Sequence, residues 1–380
     1  MKIATLTFQF SINFGAQLQC LALQEVLKEM GHDVEVLQYN PDFIKKKAPF
    51  YRNIGIKQNG LSFALKHAFV KLVYASKMAN RFNKFQKKHL NLTEPCDLNT
   101  IGEISERYNA IVVGSDQVWG PTHHKDSTYF IGWKPEFKGK RISYAPCCAI
   151  NKTDEKYKAN IANLLNQFDF LSVRNLETQA FVEELTGLNT PVVLDPTFLV
   201  DFPQFLHSFK APYKKYILAY IIGNEIKGGH ENMIREIKKV RGNIPVIAII
   251  LSENHIKFFP WADKTYWSLT PDEWVSLIAS ADFFYTDSFH GVVFGVKSNV
   301  NLLAYYVDEK RKSRFVDLSI RFNLKSNIVN SVSDALARNC INRGTPDYEL
   351  THKIIREERI TSNAFLKNAL GTENHELKIV

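Results

Sequence analysis

The sequence is short of cysteine, with five in 380 residues (Cys20, Cys96, Cys147, Cys148 and Cys340), odd in number and without C-x-x-C spacing. That argues against a disulfide framework or a zinc knuckle and for reduced thiols, as in a cytoplasmic protein. Long apolar runs are missing as well. The longest, VIAIIL and YILAYII, are strand-length, so no membrane span is expected. Behind Lys2, IATLTFQF reads as a strand without a small-residue cleavage site, so no signal peptide is expected. The first strand-to-helix turn lacks the G-x-G-x-x-G pattern of dinucleotide sites. No His, Asp and Glu cluster has metal-ligand spacing, which predicts activity without a metal, and no other cofactor is expected.

Acidic residues are absent from one stretch. Residues 43–93 hold twelve Lys and Arg and no Asp or Glu, whereas the rest of the chain carries 36 basic against 39 acidic residues. The formal charge of +9 thus comes from a single basic segment. Within it, LSFALKHAFVKLVYASKMANRFNKFQKKHL sets Leu65, Phe69, Leu72 and Val73 on one helical face. Such a segment suits a surface helix packed on its own domain, or one resting on anionic lipid headgroups. No motif supports a nucleic-acid partner.

What is present is an alternation of strands and helices, written twice. KIATLT, DVEVLQY, NAIVVG, RISYA, FLSV and PVVLD are strand-like, with AQLQCLALQEVLKEM and ETQAFVEELTG as helices. After a connector at 201–214 come YILAYII, a helix near 230–241, PVIAIIL, PDEWVSLIASA, DFFYT, a helix from about 289, and NLLAYY. Thr270, Pro271 and Glu273 spell a capping box with proline at the first helical position. Short apolar strands between helices predict parallel sheets covered on both faces. The expectation is an α/β fold of two doubly wound Rossmann-like domains facing each other across a cleft. The first spans 1–205, with the basic helical insertion 43–93; the second spans 206–346; a helix and tail occupy 347–380.

Ligands of such folds sit at the carboxyl ends of strands, and five turns there carry chemistry. TDSFHGVVFG (286–295) places Asp287, Ser288 and His290 where a strand hands over to a helix. The free N–H groups and positive end of that helix suit an anion, phosphate above all; an N-cap with a packed histidine is the plainer alternative. In FQFSINFGAQLQ, Asn13 and Gly15 sit where backbone can approach a ligand, or where a plain loop ends in an Asn cap. VVGSDQVWG (112–120) sets Ser115 and Asp116 over the sheet end, with Trp119 offering a flat face for a sugar; Asp116 is either a cap or a general base. FLSVRN brings Arg174, a fork for a carboxylate or an anion. VLDPTFLV fixes Asp195 before Pro196, which reads as a structural turn bond. The run KRKSRF, with Lys310, Arg311, Lys312 and Arg314, can close over the same anion or simply be solvated.

In order along the chain, NFGAQLQCLAL, GSDQVW, RISYA, SVRN, VLDPTFL, TDSFHGVVFG and KSRF resemble the polysaccharide pyruvyl transferase family, over about residues 3–325. The resemblance implies a GT-B-like pair of domains. It implies transfer of pyruvate from phosphoenolpyruvate to two hydroxyls of a sugar, forming a cyclic ketal (4,6 on a hexose such as galactose) on a bacterial cell-surface polysaccharide. His290 matches the family's functional histidine. On this footing His290 and Asp116 are the expected catalytic pair. Ser288, His290, Arg174, Arg314 and Lys312 would bind phosphoenolpyruvate, the donor substrate. Asn13, Gly15, Ser115 and Trp119 would face a glycan or lipid-linked oligosaccharide acceptor. The expected setting is cytoplasmic, peripheral to the inner face of the membrane through 43–93. SYAPCCA stands where the family often has SYAASFG, and Asn175 follows Arg174 where Glu is frequent; both departures bear on the acceptor. A sugar-nucleotide glycosyltransferase of the same fold, or a non-catalytic glycan or phosphate binder, are the alternatives.

Overall fold

The computed structural model describes residues 1–40, 76–125, 127–148, 153–251, 259–342 and 344–371. It contains two parallel sheets. The first comprises β1 (Lys2–Leu6), β2 (Asp33–Tyr39), β3 (Leu92–Cys96), β4 (Ala110–Val113) and β5 (Lys140–Ser143), in the order β3-β2-β1-β4-β5. The second comprises β6 (Ile217–Tyr220), β7 (Val246–Ile249), β8 (Lys264–Tyr266), β9 (Phe283–Thr286), β10 (Asn301–Tyr305) and β11 (Ile328–Val329), in the order β11-β10-β9-β6-β7-β8. Strand order reverses between β1 and β4 in one sheet and between β6 and β9 in the other, which places a crevice above each pair.

Alternate residues of each central strand feed opposite layers. Leu218 and Tyr220 of β6 join one apolar cluster, Ile217 and Ala219 the other. Every residue of β4, β6, β7 and β9 is buried, as expected of strands covered on both faces. One cluster bridges the sheets. Phe14, opening the helix Phe14–Glu29, lies between Phe82 (5.4 Å) and Trp274 (5.4 Å), and Leu18 and Val292 share that core. The terminal helix Tyr348–Leu370 crosses back to the first sheet. Its Thr351 donates to the Phe322 carbonyl, and Leu366, Ala369 and Leu370 pack with Ile3 and Val112.

The basic segment splits. Leu65, Phe69, Leu72 and Val73 lie outside the described residues. Residues 76–89 form a helix that buries Met78, Phe82 and Phe85 in the shared core and bonds Arg81 to Glu273 at 3.1 Å. FLSV and PVVLD are not ladder strands. They hold single bridges, Ile142 to Phe170 and Val173 to Val192; beside the first, the Ser143 and Ser172 hydroxyls bond each other's backbone in place of a ladder. LTEPC, unread in the sequence, is an edge strand, where Pro95 is tolerated. KRKSRF belongs to a helix, Glu309–Arg321.

Candidate active site

A cavity of about 550 Å³ opens above β1, β4 and β9, between the two sheets, and Asn13, Asp116, Arg174, Ser288, His290 and Arg314 line it. Small-molecule sites typically measure roughly 300–1,000 Å³. The turn after β9 is built as its sequence suggests. Ser288 caps the helix Phe289–Lys297, its Oγ accepting from Gly291 N at 3.1 Å, and Asn13 caps Phe14–Glu29 by accepting from Ala16 N at 3.2 Å. Each cap satisfies one orphan donor and leaves a positive helix end at the cavity.

The two turns touch through a glycine. A Cβ added to Gly15 would lie 2.1 Å from His290 Nδ1 and 2.5 Å from its Cβ, so the imidazole rests on bare backbone. The ring is buried, and Nε2 faces Asp195 Oδ2 at 3.5 Å, beyond good hydrogen-bonding range. Asp195 makes the expected turn bonds and also meets two cavity-lining residues, Arg174 and His290. Its Oδ1 accepts from Thr197 N (3.0 Å) and Oγ1 (2.7 Å), the expected turn bonds. Its Oδ2 accepts from Arg174 Nη1 (2.9 Å) and Ser115 Oγ (3.1 Å). Burial raises its pKa, but His290, Arg174 and Thr197 together outweigh that and hold the carboxyl well below the usual carboxylate range.

Arg174 sits between two acids, with Nη2 3.9 Å from Asp116 Oδ1, and its guanidinium lies 4.6 Å from the centre of the Phe289 ring. Burial opposes its charge. Cys147, Asp195 and Asp116 more than offset that and keep it protonated. Its Nε and Nη2, like His290 Nε2, are buried without a hydrogen-bond partner among the described residues. Asp116 reaches the cavity because Gly114 (φ 126°) lets the chain turn where a Cβ would meet the Tyr144 carbonyl at 2.1 Å. Arg314, its pKa lowered by burial, comes from the helix Glu309–Arg321, and the carboxamide oxygen of Gln117 accepts from its Nη1 and Nη2.

Other predicted residues are placed elsewhere. Trp119 is fully buried, stacked on Phe130 at 5.4 Å and donating to the Tyr129 carbonyl, so it offers no face to a sugar. Ser115 is buried beneath the cavity, bonded to Asp195 and the Ala145 carbonyl. Lys312 is exposed and does not line the cavity; its neighbour Arg311 does, paired with Asp287 at 2.7 Å. Asp287 also accepts from Ile222 N and Gly223 N, both at 2.7 Å, tying the exit of β6 to that of β9. Gln117 and His123, also in the wall, have no signal in the sequence beyond their nearness to Asp116. All five cysteines are buried, with free thiols. Among the described residues no group of His, Cys, Asp and Glu could hold a metal ion, and no helix is long and apolar enough to cross a membrane.

Against known proteins, the family model for polysaccharide pyruvyl transferase matches residues 13–309. No curated protein matches the sequence. Solved structures of similar fold include Anabaena HepE in complex with UDP-glucose (11% identity, 98% of this chain and 100% of that one, TM-score 0.55). UGT89C1 of Arabidopsis thaliana complexed with UDP-L-rhamnose is similar as well (11%, 96% and 97%, 0.53). So is a putative UDP-N-acetylglucosamine 2-epimerase of Listeria monocytogenes (11%, 100% and 99%, 0.53). At such identities they show the fold, which is GT-B.

Proposed function

The chain belongs to the polysaccharide pyruvyl transferase family and is a transferase, and on that premise we propose that its donor is phosphoenolpyruvate and its product a cyclic pyruvate ketal, 4,6 on a hexose such as galactose. One observation carries the donor. Arg174 Nε and Nη2 and His290 Nε2 are buried without a hydrogen bond among the described residues, and both side chains line a cavity with a helix N-terminus at its edge. Buried polar atoms in native structures are paired with few exceptions, so this set asks for an anion with several acceptor oxygens. Phosphoenolpyruvate supplies a phosphate and a carboxylate.

In this reading the helix end at Ser288 and the guanidinium groups of Arg174 and Arg314 hold phosphate and carboxylate. A proton is added to the enol methylene, leaving the neighbouring carbon oxocarbenium-like; His290 either supplies it or binds the anion while it arrives. A sugar hydroxyl attacks that carbon and gives its proton to Asp116. The carbon–oxygen bond to phosphate then breaks, phosphate leaves, and the second hydroxyl adds at the same carbon with loss of its own proton to close the ketal. Asn13, Gln117 and His123 form the wall available to the acceptor. The basic charge of 43–93 suits an acceptor held at an anionic lipid surface on the cytoplasmic side.

The test is incubation with phosphoenolpyruvate and galactose-, mannose- and glucose-terminated acceptors, free and lipid-linked, following phosphate release and product mass. A product heavier by one pyruvate less water, lost in His290→Ala, is expected. Absence of phosphoenolpyruvate binding would refute the donor and turn the search to the UDP-sugars that similar folds bind.

A further inference from the structure

Lys297 lies two helical turns from His290 on the same helix, Phe289–Lys297. Its ammonium is turned away from solvent. Nζ donates to the Thr197 carbonyl at 2.6 Å and to the Val200 carbonyl, and it sits 4.9 Å from the Phe202 ring and 5.0 Å from the Phe294 ring. Thr197 is the residue whose N–H and hydroxyl fix Asp195 Oδ1. A closed circuit results, running from His290 along the helix to Lys297, through Thr197 to Asp195, and from Asp195 Oδ2 back across 3.5 Å to His290 Nε2. The helix belongs to the layers on the second sheet, whereas the turn 195–200 leaves the first, so the circuit spans the cleft.

We propose that Lys297 is a positioning residue for the reacting centre, holding the Asp195 turn in register with the His290 helix. The physical case is one of alternatives. A half-buried lysine whose ammonium rests on two carbonyls gives up part of its hydration, and an aliphatic side chain would fill the space between two phenyl rings at lower cost. What methionine or leucine cannot do is bind two carbonyls of the turn that carries Asp195. The groups facing the ammonium are Asp201 and Asp195 of that turn, which favour its charge, and Arg359 of the terminal helix, which opposes it. Arg359 is itself tied to Asp201 and to the Phe198 carbonyl. Burial is the largest influence and pushes the Lys297 pKa down to about 7. The tie is therefore charged below neutrality and weakens as the pH rises past it.

The inference rests on His290 belonging to the reacting centre, and the experiment separates the two. Phosphate release is measured from pH 6 to 9 for wild type, Lys297→Met, Lys297→Arg and His290→Ala, with phosphoenolpyruvate affinity measured on each folded protein. Wild type should lose rate above about pH 7. Lys297→Met should lack that limb, turning over at every pH at roughly a tenth of the wild-type rate at pH 6, so that the two converge at high pH, with phosphoenolpyruvate affinity changed less than threefold. Lys297→Arg, permanently charged, should recover rate at pH 8.5 relative to Lys297→Met and show no limb. If Lys297→Met keeps the wild-type rate and limb, the proposal is overturned. Should Lys297→Met fail to fold, a wild-type limb persisting in Lys297→Arg overturns it equally. Undiminished turnover in His290→Ala would sink both readings together.

Discussion

Replacing Gly15 by alanine sets stability and activity against each other. By helix propensity the change is favourable, since alanine is better than glycine in a helix by about 1 kcal/mol. The cavity geometry predicts the opposite for function. The new methyl group would lie 2.1 Å from His290 Nδ1, 2.2 Å from Cγ and 2.5 Å from Cβ, against an ordinary contact of 3.4–4 Å. Imidazole or helix must therefore retreat by roughly 1 Å or more, and overpacking of this kind costs about 1–3 kcal/mol. A rotamer change offers little relief, because the contacts include the first atoms of the His290 side chain. The propensity gain offsets part of the strain, so thermal unfolding should shift by only a few degrees. The chemistry is more sensitive, since a misplacement of about 1 Å can cost on the order of 10²-fold in rate. Gly15→Ala should therefore stay folded and lose roughly 10²-fold in kcat, read as phosphate release under saturating donor. The two parameters are measured on one preparation, thermal unfolding alongside turnover. A variant keeping kcat within twofold of wild type would show that the ring has room to move and that Gly15 does not set its position.

Arg174 and Asp195 give two further predictions. Arg174→Met should abolish donor binding in calorimetry and destabilise the fold by about 3–5 kcal/mol, because it strands a buried carboxylate; full donor affinity in the folded variant would contradict the assignment. Asp195 has a folded-state pKa depressed below its unfolded value of about 3.9, so its stabilisation is present above that value and is lost as pH falls below it. Acid unfolding of wild type should thus steepen below about pH 4, and Asp195→Asn should flatten that limb; parallel limbs would show that the carboxylate is not held by its partners.

The local grammar of the site was legible, and its long-range pairings were not. Ser288 and Asn13 could be read as caps because a cap needs only its own next three residues. Gly15 looked like an ordinary loop glycine, since the side chain that forbids a Cβ there belongs to His290, on the other sheet's layer. Asp195 is legible only in part for a related reason. Its Oδ1 satisfies the turn that Pro196 and Thr197 announce, which gives the residue a sufficient local explanation, while Oδ2 meets Arg174, Ser115 and His290 from three distant turns. Trp119 follows a strand end as a sugar platform would, yet a carbonyl for its indole N–H inside the fold lets it be buried whole. The run KRKSRF shows what secondary structure adds. As a loop it gives no reason to separate Lys312 from Arg314. As a helix it sorts them, since Arg311 and Arg314, three apart, share the cavity face and Lys312 is turned to solvent. Folding thus supplied the periodicity that decides which cations of a uniform run can reach an anion, and a glycine and a carboxylate became legible as parts of the site only once their distant partners were in place.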